Sequence, residues 1–253
     1  MTRGTTNPNR LRRVDRFIAA QPVAKKPGCV AVDLGFGASP ITAIELQDRL
    51  TKLNPSARVV GVEIERERVE RGLAVARQGL DFMLGGFETP LPVGLEHADI
   101  IRAFNVLRQY DESEVADAWA MMQSRLSDVG ILVEGTCDEI GRLSCWVTLD
   151  RRQPIWLTIS LRLTGLEEPS KVAERLPKVL IHRNVPGERI HDWLTALDKA
   201  WAINAGLGAF SPVQRWVSVC EQLLAEGWPI MVDRKRWRLG ELTIDWNAVK
   251  PND

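Results

Sequence analysis

The sequence predicts an α/β protein built on a mostly parallel sheet with helices on both faces. From residue 28 to residue 136, short apolar runs alternate with amphipathic stretches; the runs are "CVAVDL", "ARVVGVEI", "LDFML", "ADIIRAFNV" and "GILVEGT". Continuous apolar strands are buried on both sides, which is typical of parallel strands whose connections are covering helices. The stretches between them carry apolar residues at helical spacing, and Asp111 with Glu114 has the pattern of a capping box.

The two ends of the chain predict additions to this sheet. Residues 9–20 indicate an amphipathic helix whose polar face carries Arg10, Arg12, Arg13 and Arg16, a charge run that is either a solvated face or a contact for phosphate or substrate. The C-terminal part predicts one hairpin from "RLSCWVTLD" and "PIWLTISLRL", two helical regions, and a second hairpin around "RKR". We expect about seven strands in all, one hairpin completing the sheet, and three segments (1–27, 28–136 and 137–253) forming one compact domain.

The composition excludes several classes of protein. The chain has 253 residues with 33 Lys plus Arg and 33 Asp plus Glu, so its formal net charge is zero and does not favour a whole-protein attraction to nucleic acid. The four cysteines form no Cys-x-x-Cys pair and the three histidines lack metal-ligand spacing, which predicts free thiols and no metal site. No signal-peptide core or membrane-length apolar run is present, so we expect a cytoplasmic protein without a membrane partner.

The stretch "VDLGFGASP" is the first element of a predicted ligand site. Gly35 and Gly37 follow the end of the first strand and permit a tight turn that a ligand can approach closely. Ser39 is a suitable N-cap and Pro40 suits the first helical position, so a helix N-terminus with free amides is expected next to the turn. In open α/β sheets, this is where nucleotide-like ligands bind.

Two kinds of ligand compete for this turn. A dinucleotide fingerprint has the spacing Gly-x-Gly-x-x-Gly, but Pro40 stands at the third glycine position. Asp33, two residues before the first glycine, would repel a pyrophosphate and would attract an ammonium group. The alternative remains that Asp33 only satisfies the turn.

With Asp33, Gly35 and Gly37, "VDLGFGASP" resembles the glycine-rich motif of class I S-adenosylmethionine (SAM)-dependent methyltransferases, and the resemblance extends over residues 28–136. It implies a Rossmann-like methyltransferase sheet and SAM as the cofactor. It also implies that Glu63, which ends the second strand, accepts both ribose hydroxyls, and that Ile64 packs on the adenine ring. The remaining cofactor-binding candidates that the resemblance gives are Phe36, Ser39, Gly86, Phe87 and Asn105. Instead of an adenine-reading Asp, the chain has "LGGFETP", so a backbone group near Gly85 and Gly86 is expected to read the ring.

The acceptor side of the predicted site carries weaker signals. Asn105 lies where amino-methylating members of the family have Asn- or Asp-Pro-Pro-aromatic, but both prolines are absent here. Arg102 interrupts an apolar strand and needs either a structural partner or a substrate anion, while Tyr110 follows the strand end. These three residues are the candidates for contact with the acceptor, and Glu134 and Asp138 are candidate proton acceptors. Methyl transfer from an activated sulfonium needs alignment more than a dedicated base, so no catalytic residue is assigned.

The resulting prediction is a SAM-dependent methyltransferase that binds SAM and S-adenosylhomocysteine (SAH) and acts on an unidentified acceptor. Three alternatives stay open: a non-enzymatic binding protein of the same fold, a NAD-dependent oxidoreductase, and an RNA- or DNA-modifying methyltransferase. The arginines of residues 10–16, Lys25, Lys26 and "DRKRWR" favour the nucleic-acid version, whereas the balanced charge counts against it. The oligomeric state is not predicted.

Overall fold

The computed structural model describes residues 7–252, which form a single eight-stranded sheet in the order β3-β2-β1-β4-β5-β6-β7-β8. The strands are β1 Val30–Leu34, β2 Arg58–Glu63, β3 Leu80–Leu84, β4 Ala98–Phe104, β5 Leu126–Cys137, β6 Leu143–Leu149, β7 Pro154–Leu161 and β8 Glu241–Asp245. The helices are α1 Arg12–Ala20, α2 Ile41–Thr51, α3 Arg66–Leu73, α4 Val115–Ser124, α5 Lys178–Ile181, α6 Arg189–Ile203, α7 Pro212–Ala225 and α8 Arg234–Trp237.

The predicted Rossmann-like core is confirmed by the pairing of the first five strands. They are all parallel, and β1 lies between β2 and β4, so the strand order reverses at β1. Every residue of β1 and β4 is buried, in agreement with strands covered on both faces. A ligand site is therefore expected beyond the carboxyl ends of β1 and β4.

Two apolar cores cover the two faces of the sheet. One contains residues of α1, α2 and α3 packed on the β1–β4 region, and Phe17 of α1 reaches the ring of Trp146 on β6 at 5.2 Å between centroids. The other contains residues of α4, α6 and α7 packed on the opposite face. No helix among residues 7–252 is both long enough and apolar enough to cross a membrane.

The C-terminal part corrects the predicted strand count and one predicted hairpin. The first hairpin, β6 with β7, joins the sheet at β5 through antiparallel pairing, and β8 pairs with β7, which gives eight strands instead of about seven. The second hairpin is wrong, because Ile230 makes only an isolated bridge to Ile244 and "RKR" lies in helix α8. The side chain of Asp233 caps α8 by accepting from the amides of Lys235 and Arg236, which turns this segment into a helix.

The N-terminal half also differs in detail from the sequence expectation. Helix α3 ends at Leu73, well before the Gly79 that the pattern predicts as its stop, and Gly79 lies instead in the turn before β3. The capping box of Asp111 and Glu114 is present, but it caps a short 3-10 turn that leads into α4. The division into segments 1–27, 28–136 and 137–253 stays a prediction, and its outermost residues, 1–6 and 253, lie outside the described part.

Candidate functional site

A cavity of about 330 Å³ lies beyond the carboxyl ends of β1, β2 and β4, at the reversal of strand order. Its volume lies in the range of small-molecule sites. It brings together most of the residues predicted from the sequence: Asp33, Gly35, Phe36, Gly37, Glu63, Ile64, Gly86, Phe87, Asn105 and Tyr110 line it. Ser39 and Arg102 are not among its lining residues.

The glycine turn forms the floor of this cavity. Gly35 and Gly37 have φ values of +71° and +82°, a backbone conformation that side chains rarely adopt. A Cβ atom on Gly35 would lie 2.6 Å from the Cγ2 atom of Val106, so the turn also packs closely against the loop after β4. Phe36 points away into the core, where its ring meets Phe82 edge to face at 5.4 Å.

Ser39 does not cap helix α2, contrary to the prediction from the sequence. Helix α2 begins at Ile41 with Pro40 as its N-cap residue, and no side chain caps it. Ser39 therefore lies one residue too early to satisfy the first amides of the helix. The hydroxyl of Thr42, in the first turn, donates instead to Asp33 at 2.7 Å.

Asp33 and Arg102 form a buried ion pair below the glycine turn. The Nε atom of Arg102 donates to Oδ1 of Asp33 at 3.0 Å, and its Nη2 atom lies 2.8 Å from Oδ2. Arg102 also pairs with Asp15 of α1 and donates to the carbonyl oxygen of Thr42 at 3.0 Å. The structure thus places Arg102 in the core with structural partners, which corrects its assignment as an acceptor contact.

This buried group, Asp15, Arg102 and Asp33, holds two carboxylates and one guanidinium. Burial opposes the charge on Arg102, but Asp33 and Asp15 beside it raise its pKa above the ordinary value. Burial also raises the pKa of Asp15 to about 6, against the opposing effect of Arg102. With both carboxylates ionised, the group carries a formal charge of −1 beneath the cavity, so a cationic ligand is favoured there and a pyrophosphate is not.

Glu63 is held with its carboxylate between two backbone amides at the end of β2. Its Oε2 atom accepts from the amide of Gly37 at 2.9 Å, and its Oε1 atom accepts from the amide of Ile64 at 2.9 Å. Arg68 lies 3.6 Å from Oε2. Because a carboxylate oxygen has two lone pairs, each oxygen keeps an acceptor position for a ligand hydroxyl.

One wall of the cavity is formed by the segment after β3. Ile64 is more than half exposed and lies close to Gly86, where an added Cβ would come within 3.7 Å of its Cγ2 atom. The amides of Gly85 and Gly86 are already used, since they donate to the carbonyl of Glu63 at 3.0 Å and to Oε1 of Glu88 at 2.8 Å. A backbone contact to a ring amino group at this wall would therefore use carbonyl oxygens.

An aromatic pair, Phe87 of the same segment and Tyr110 of the loop after β4, also lines the cavity. The rings of Phe87 and Tyr110 meet edge to face with 5.1 Å between their centroids, and both side chains are partly buried. Such a pair offers flat apolar surface to a planar ligand.

The side chain of Asn105, the first residue after β4, links the end of β4 to the end of β5 through hydrogen bonds. Its Oδ1 atom accepts from the amide of Cys137 at 3.0 Å, and its Nδ2 atom donates to the sulfur of Cys137 at 3.3 Å. Its own amide donates to the carbonyl of Gly135 at 2.8 Å, and its φ is +60°. A non-glycine residue in this conformation beside a cavity is held by its surroundings and is typical of a ligand site.

Solved structures of methyltransferases resemble the chain over about half of its length. Human N-acetylserotonin methyltransferase in complex with SAM is 20% identical over 52% of this chain and 36% of that chain, with a TM-score of 0.38. A SAM-dependent methyltransferase of Leishmania major is 19% identical over 52% and 54%, with a TM-score of 0.39. Magnesium protoporphyrin IX methyltransferase of Synechocystis PCC 6803 with bound SAH is 18% identical over 50% and 55%, with a TM-score of 0.38.

The Rossmann-like fold of the chain rests on its own sheet, in which five parallel strands reverse their order at β1. The chain spans between about a third and just over half of the length of each of these methyltransferases. No protein-family model matches the sequence, and no curated protein matches it either.

The turn that leads into helix α1 adds a wall that the sequence did not assign to the cavity. Arg10 and Leu11 line it, and the guanidinium of Arg10 donates to the carbonyl oxygens of Asp138 at 3.0 Å and Cys137 at 3.4 Å. The arginine run indicated a contact of some kind, but nothing in the spacing singles out Arg10. Gly85, named in the sequence with Gly86, also lines the cavity, and the other lining residues missed by the sequence are Leu34, Thr42, Arg68, Phe104, Val106 and Gln109.

The two candidate proton acceptors on β5 and after it are not at the cavity. Glu134 is buried on the face that α4 covers, and no described donor is in hydrogen-bond geometry with either carboxylate oxygen. Burial raises its pKa to about 8, although the nearby Trp119 has a small opposite effect. The carboxylate of Asp138 accepts from the amide of Arg142 at 2.7 Å. The structure therefore places neither carboxyl group in the lining of this cavity.

The cysteines and possible metal ligands add no second chemical centre within residues 7–252. Cys29, Cys137, Cys145 and Cys220 are free and buried, and burial raises the pKa of each thiol. Over the same described range, no group of three or more His, Cys, Asp or Glu residues is placed to hold a metal ion.

Proposed function

We propose that the protein is a SAM-dependent methyltransferase acting on an acceptor that its motifs do not identify. The observation that carries this proposal is the position of Glu63, fixed by the amides of Gly37 and Ile64 at the strand-order reversal, with acceptor positions left for two hydroxyls. A vicinal diol such as that of a ribose suits this carboxylate. The close turn at Gly35, where a side chain would collide with Val106, leaves backbone to line the ligand.

The other parts of the cavity fit the remaining groups of this cofactor. The excess negative charge of the Asp15, Arg102 and Asp33 group suits the methionine ammonium, while Ile64 and Phe87 offer apolar surface to the adenine ring. When bound, SAM would supply an electrophilic methyl group. The chain's own residues would hold the cofactor and align the acceptor, and neither Glu134 nor Asp138 is among the residues that line the cavity.

A NAD-dependent oxidoreductase is the main alternative of another reaction class. Glu63 alone does not separate the two, because an acidic residue after the second strand also binds the ribose of NAD. The separating features are Pro40 in place of a third glycine and the net negative group beneath the turn. Both oppose a pyrophosphate at the start of α2.

Isothermal titration calorimetry with SAM, SAH and NAD tests this proposal. We expect SAM and SAH to bind, and we expect Glu63→Ala to weaken both by roughly 1.5–3 kcal/mol, since two hydrogen bonds to a charged group are lost. Glu70→Ala, an exposed acid on the same side of the sheet in α3, is the matched control and should bind like the unchanged protein. Binding of NAD without binding of SAM or SAH would contradict the proposal.

The acceptor-free alternative, a protein that binds SAM without transferring its methyl group, predicts the same titration. It is separated by incubating the protein with methyl-labelled SAM and fractionated cell extract. Transfer of label to an extract component, lost in Glu63→Ala, supports an enzyme. Tight SAM binding with no labelled component from protein, nucleic-acid, lipid or small-molecule fractions supports the binding protein instead.

A further inference from the structure

A basic face lies beside the cavity, on the side of α1 and α8. We define it by five exposed cations, Arg16, Arg142, Arg162, Lys235 and Arg238. Within residues 7–252 none of these five side chains lies in an ion pair, whereas the neighbouring Arg234 and Arg236 are paired with Glu221 and Glu241. The formal charge of the whole chain is zero, so this face is a local concentration of positive charge.

Hydrogen bonds show that the segments bearing these cations are contiguous. Arg236 donates to the backbone carbonyl of Arg16 at 3.3 Å, which joins α8 to α1. Arg13 of α1 donates to the carbonyl of Leu239 at 3.0 Å, next to Arg238. The amide of Arg162 donates to the carbonyl of Arg142 at 2.9 Å, and the amide of Leu161 donates to the carbonyl of Gly240 at 2.8 Å, which joins this pair to the segment after α8. The five cations therefore come from contiguous segments, although these are four separate parts of the sequence.

The acidic residues near this surface are already engaged. Glu241 is buried against Arg236, and Asp233 caps α8. Glu139, in the turn after β5, lies 3.5 Å from Arg175. Asp138, whose carboxylate accepts from the amide of Arg142, keeps one negative charge beside this surface, and the five cations outnumber it.

The basic face is connected to the cavity through Arg10. This residue lines the cavity, and its guanidinium holds the carbonyl of Asp138 in the turn that also carries Arg142. The two other basic residues that the sequence pointed out, Lys25 and Lys26, lie before β1 at the amino ends of the parallel strands, away from the cavity, and Lys26 pairs with Asp99 at 2.6 Å. They do not belong to the basic face.

We propose that the basic face binds the phosphate backbone of a single-stranded nucleic acid and brings one of its bases to the cavity. Four of its five cations are arginines, whose planar guanidinium groups match phosphate oxygens in pairs. The cavity next to it also has the ring of Tyr110 in its wall, beside the Phe87 ring that the proposed function assigns to the adenine of the cofactor, and aromatic side chains are the usual stacking surface for an unpaired base. The delivery of a base rests on the proposed methyltransferase function, whereas the phosphate binding does not.

Fluorescence anisotropy with labelled 20-nucleotide RNA and DNA of one sequence tests this proposal at several KCl concentrations. The variant Arg16→Gln/Lys235→Gln/Arg238→Gln removes three charges from the basic face and touches no cavity residue. We expect at least a tenfold loss of affinity at low salt and a decrease of roughly 2 in the slope of log affinity against log salt, at about 0.7 per charge for single strands. Equal loss for RNA and DNA indicates recognition of phosphate alone, and a larger loss for RNA indicates an RNA partner.

The matched control removes three exposed cations elsewhere, in Arg66→Gln/Arg152→Gln/Lys199→Gln. Equal weakening by both triple variants, or no binding by the unchanged protein, would overturn the proposal. Binding to vesicles of phosphatidylserine and phosphatidylcholine but to neither oligonucleotide would overturn it in favour of a membrane surface. SAH titration of the same variants separates the two proposals: SAH binding should stay unchanged, and its absence from all variants would count against the methyltransferase proposal alone.

Discussion

At the scale of single residues, the structure contains charged groups whose surroundings, rather than their type, decide what they do. Arg102 is fully buried and is neutralised by two carboxylates that come from α1 and β1. Glu134 is equally buried but has no hydrogen-bond partner among the described residues. A paired charge of the first kind holds elements together, whereas an unpaired carboxyl of the second kind is kept neutral by its surroundings.

Glu134 should make the protein less stable as the pH rises. Its folded pKa of about 8 lies above the ordinary value of 4.5, so the folded state holds this proton more tightly than the unfolded state. Its contribution is fully present below pH 4.5 and is lost as the pH rises through 8. In urea unfolding, we expect Glu134→Gln to be close to the unchanged protein at pH 5 and more stable by about 2 kcal/mol or more at pH 8.5, because each tenfold difference in proton affinity corresponds to about 1.4 kcal/mol.

Comparing the unfolding of Glu134→Gln with that of the unchanged protein isolates the contribution of Glu134 to the pH dependence. Burial also raises the pKa of Asp15 to about 6 and that of Glu241 to about 7, so the unchanged protein loses stability over the same pH range for three reasons. Glu70→Gln, at an exposed acid of α3 that lies in no ion pair of the described residues, serves as the control and should leave the pH dependence as it is. Parallel stability curves for Glu134→Gln and the unchanged protein would show that Glu134 is ionised in the folded state.

Asp15 should control the affinity for a cationic ligand from a distance. Its ionised carboxylate gives the buried group with Arg102 and Asp33 its charge of −1, with Arg49 as a further cation nearby. We expect Asp15→Asn to weaken SAM binding on the order of tenfold at pH 7.5, because the removed charge lies in a medium of low dielectric constant. At pH 5, below the pKa of about 6, Asp15 itself is neutral and the difference should disappear.

Calorimetric titration with SAM at both pH values gives this measurement. Asp48→Asn, at a partly exposed carboxylate of α2 paired with Arg77, is the control and should bind SAM like the unchanged protein at both pH values. An equal loss at pH 5 and pH 7.5 would mean that Asp15 acts through the position of α1 and not through its charge.

At the scale of elements, local patterns predicted the strands and the first turn, while the elements that depend on distant partners were not predicted. A few adjacent residues are enough to predict the strand ending in Asp33, the glycine turn and the strand ending in Glu63. The cavity wall formed by the turn before α1 cannot be predicted in this way, because the partners of Arg10 are carbonyl groups about 130 residues away in sequence. The same holds for Arg102, whose partner Asp15 lies 87 positions before it.

The error at the C-terminal end has a similar origin. "PIMVD" has the composition of a strand, but the segment before α8 finds only an isolated bridge, and one side chain, Asp233, starts a helix where a hairpin turn was expected. β8 nevertheless forms, because it pairs with the edge of β7. The assembled sheet determines which strand edge is free for pairing, so a short stretch of sequence cannot predict it.

The glycine turn offers a prediction with an internal control. Gly35 and Gly28 have nearly the same φ, +71° and +68°, but only Gly35 has a neighbour that an added Cβ would meet. Alanine at Gly28 should therefore cost only the backbone strain, about 1 kcal/mol. We expect Gly35→Ala to cost about 1–3 kcal/mol more in urea unfolding, because Val106 must move, and to weaken SAM binding in titration, which Gly28→Ala should not do. Equal effects of the two changes would show that the close approach to Val106 is unimportant.

At the scale of the whole molecule, one continuous sheet joins the N-terminal and C-terminal parts of the chain. The parallel strands carry the cavity at their carboxyl ends, and the antiparallel strands extend the same sheet without forming a second core of their own. The formal charge of the whole chain is zero, but the charged residues are unevenly distributed, because the basic face lies next to the cavity. Net charge therefore says little here about which partner the surface suits.

β5 is the strand on which both halves of the molecule depend. It pairs in parallel with β4 on one side and in antiparallel with β6 on the other, with Val133 and Glu134 taking part in both ladders. A proteolytic cut in the turn at residues 138–142 would consequently not separate the chain into two fragments, because the hydrogen bonds between β5 and β6 would still hold them together. The amides of this strand's centre should be among the last to exchange with deuterium, and the halves should melt in one transition instead of in succession.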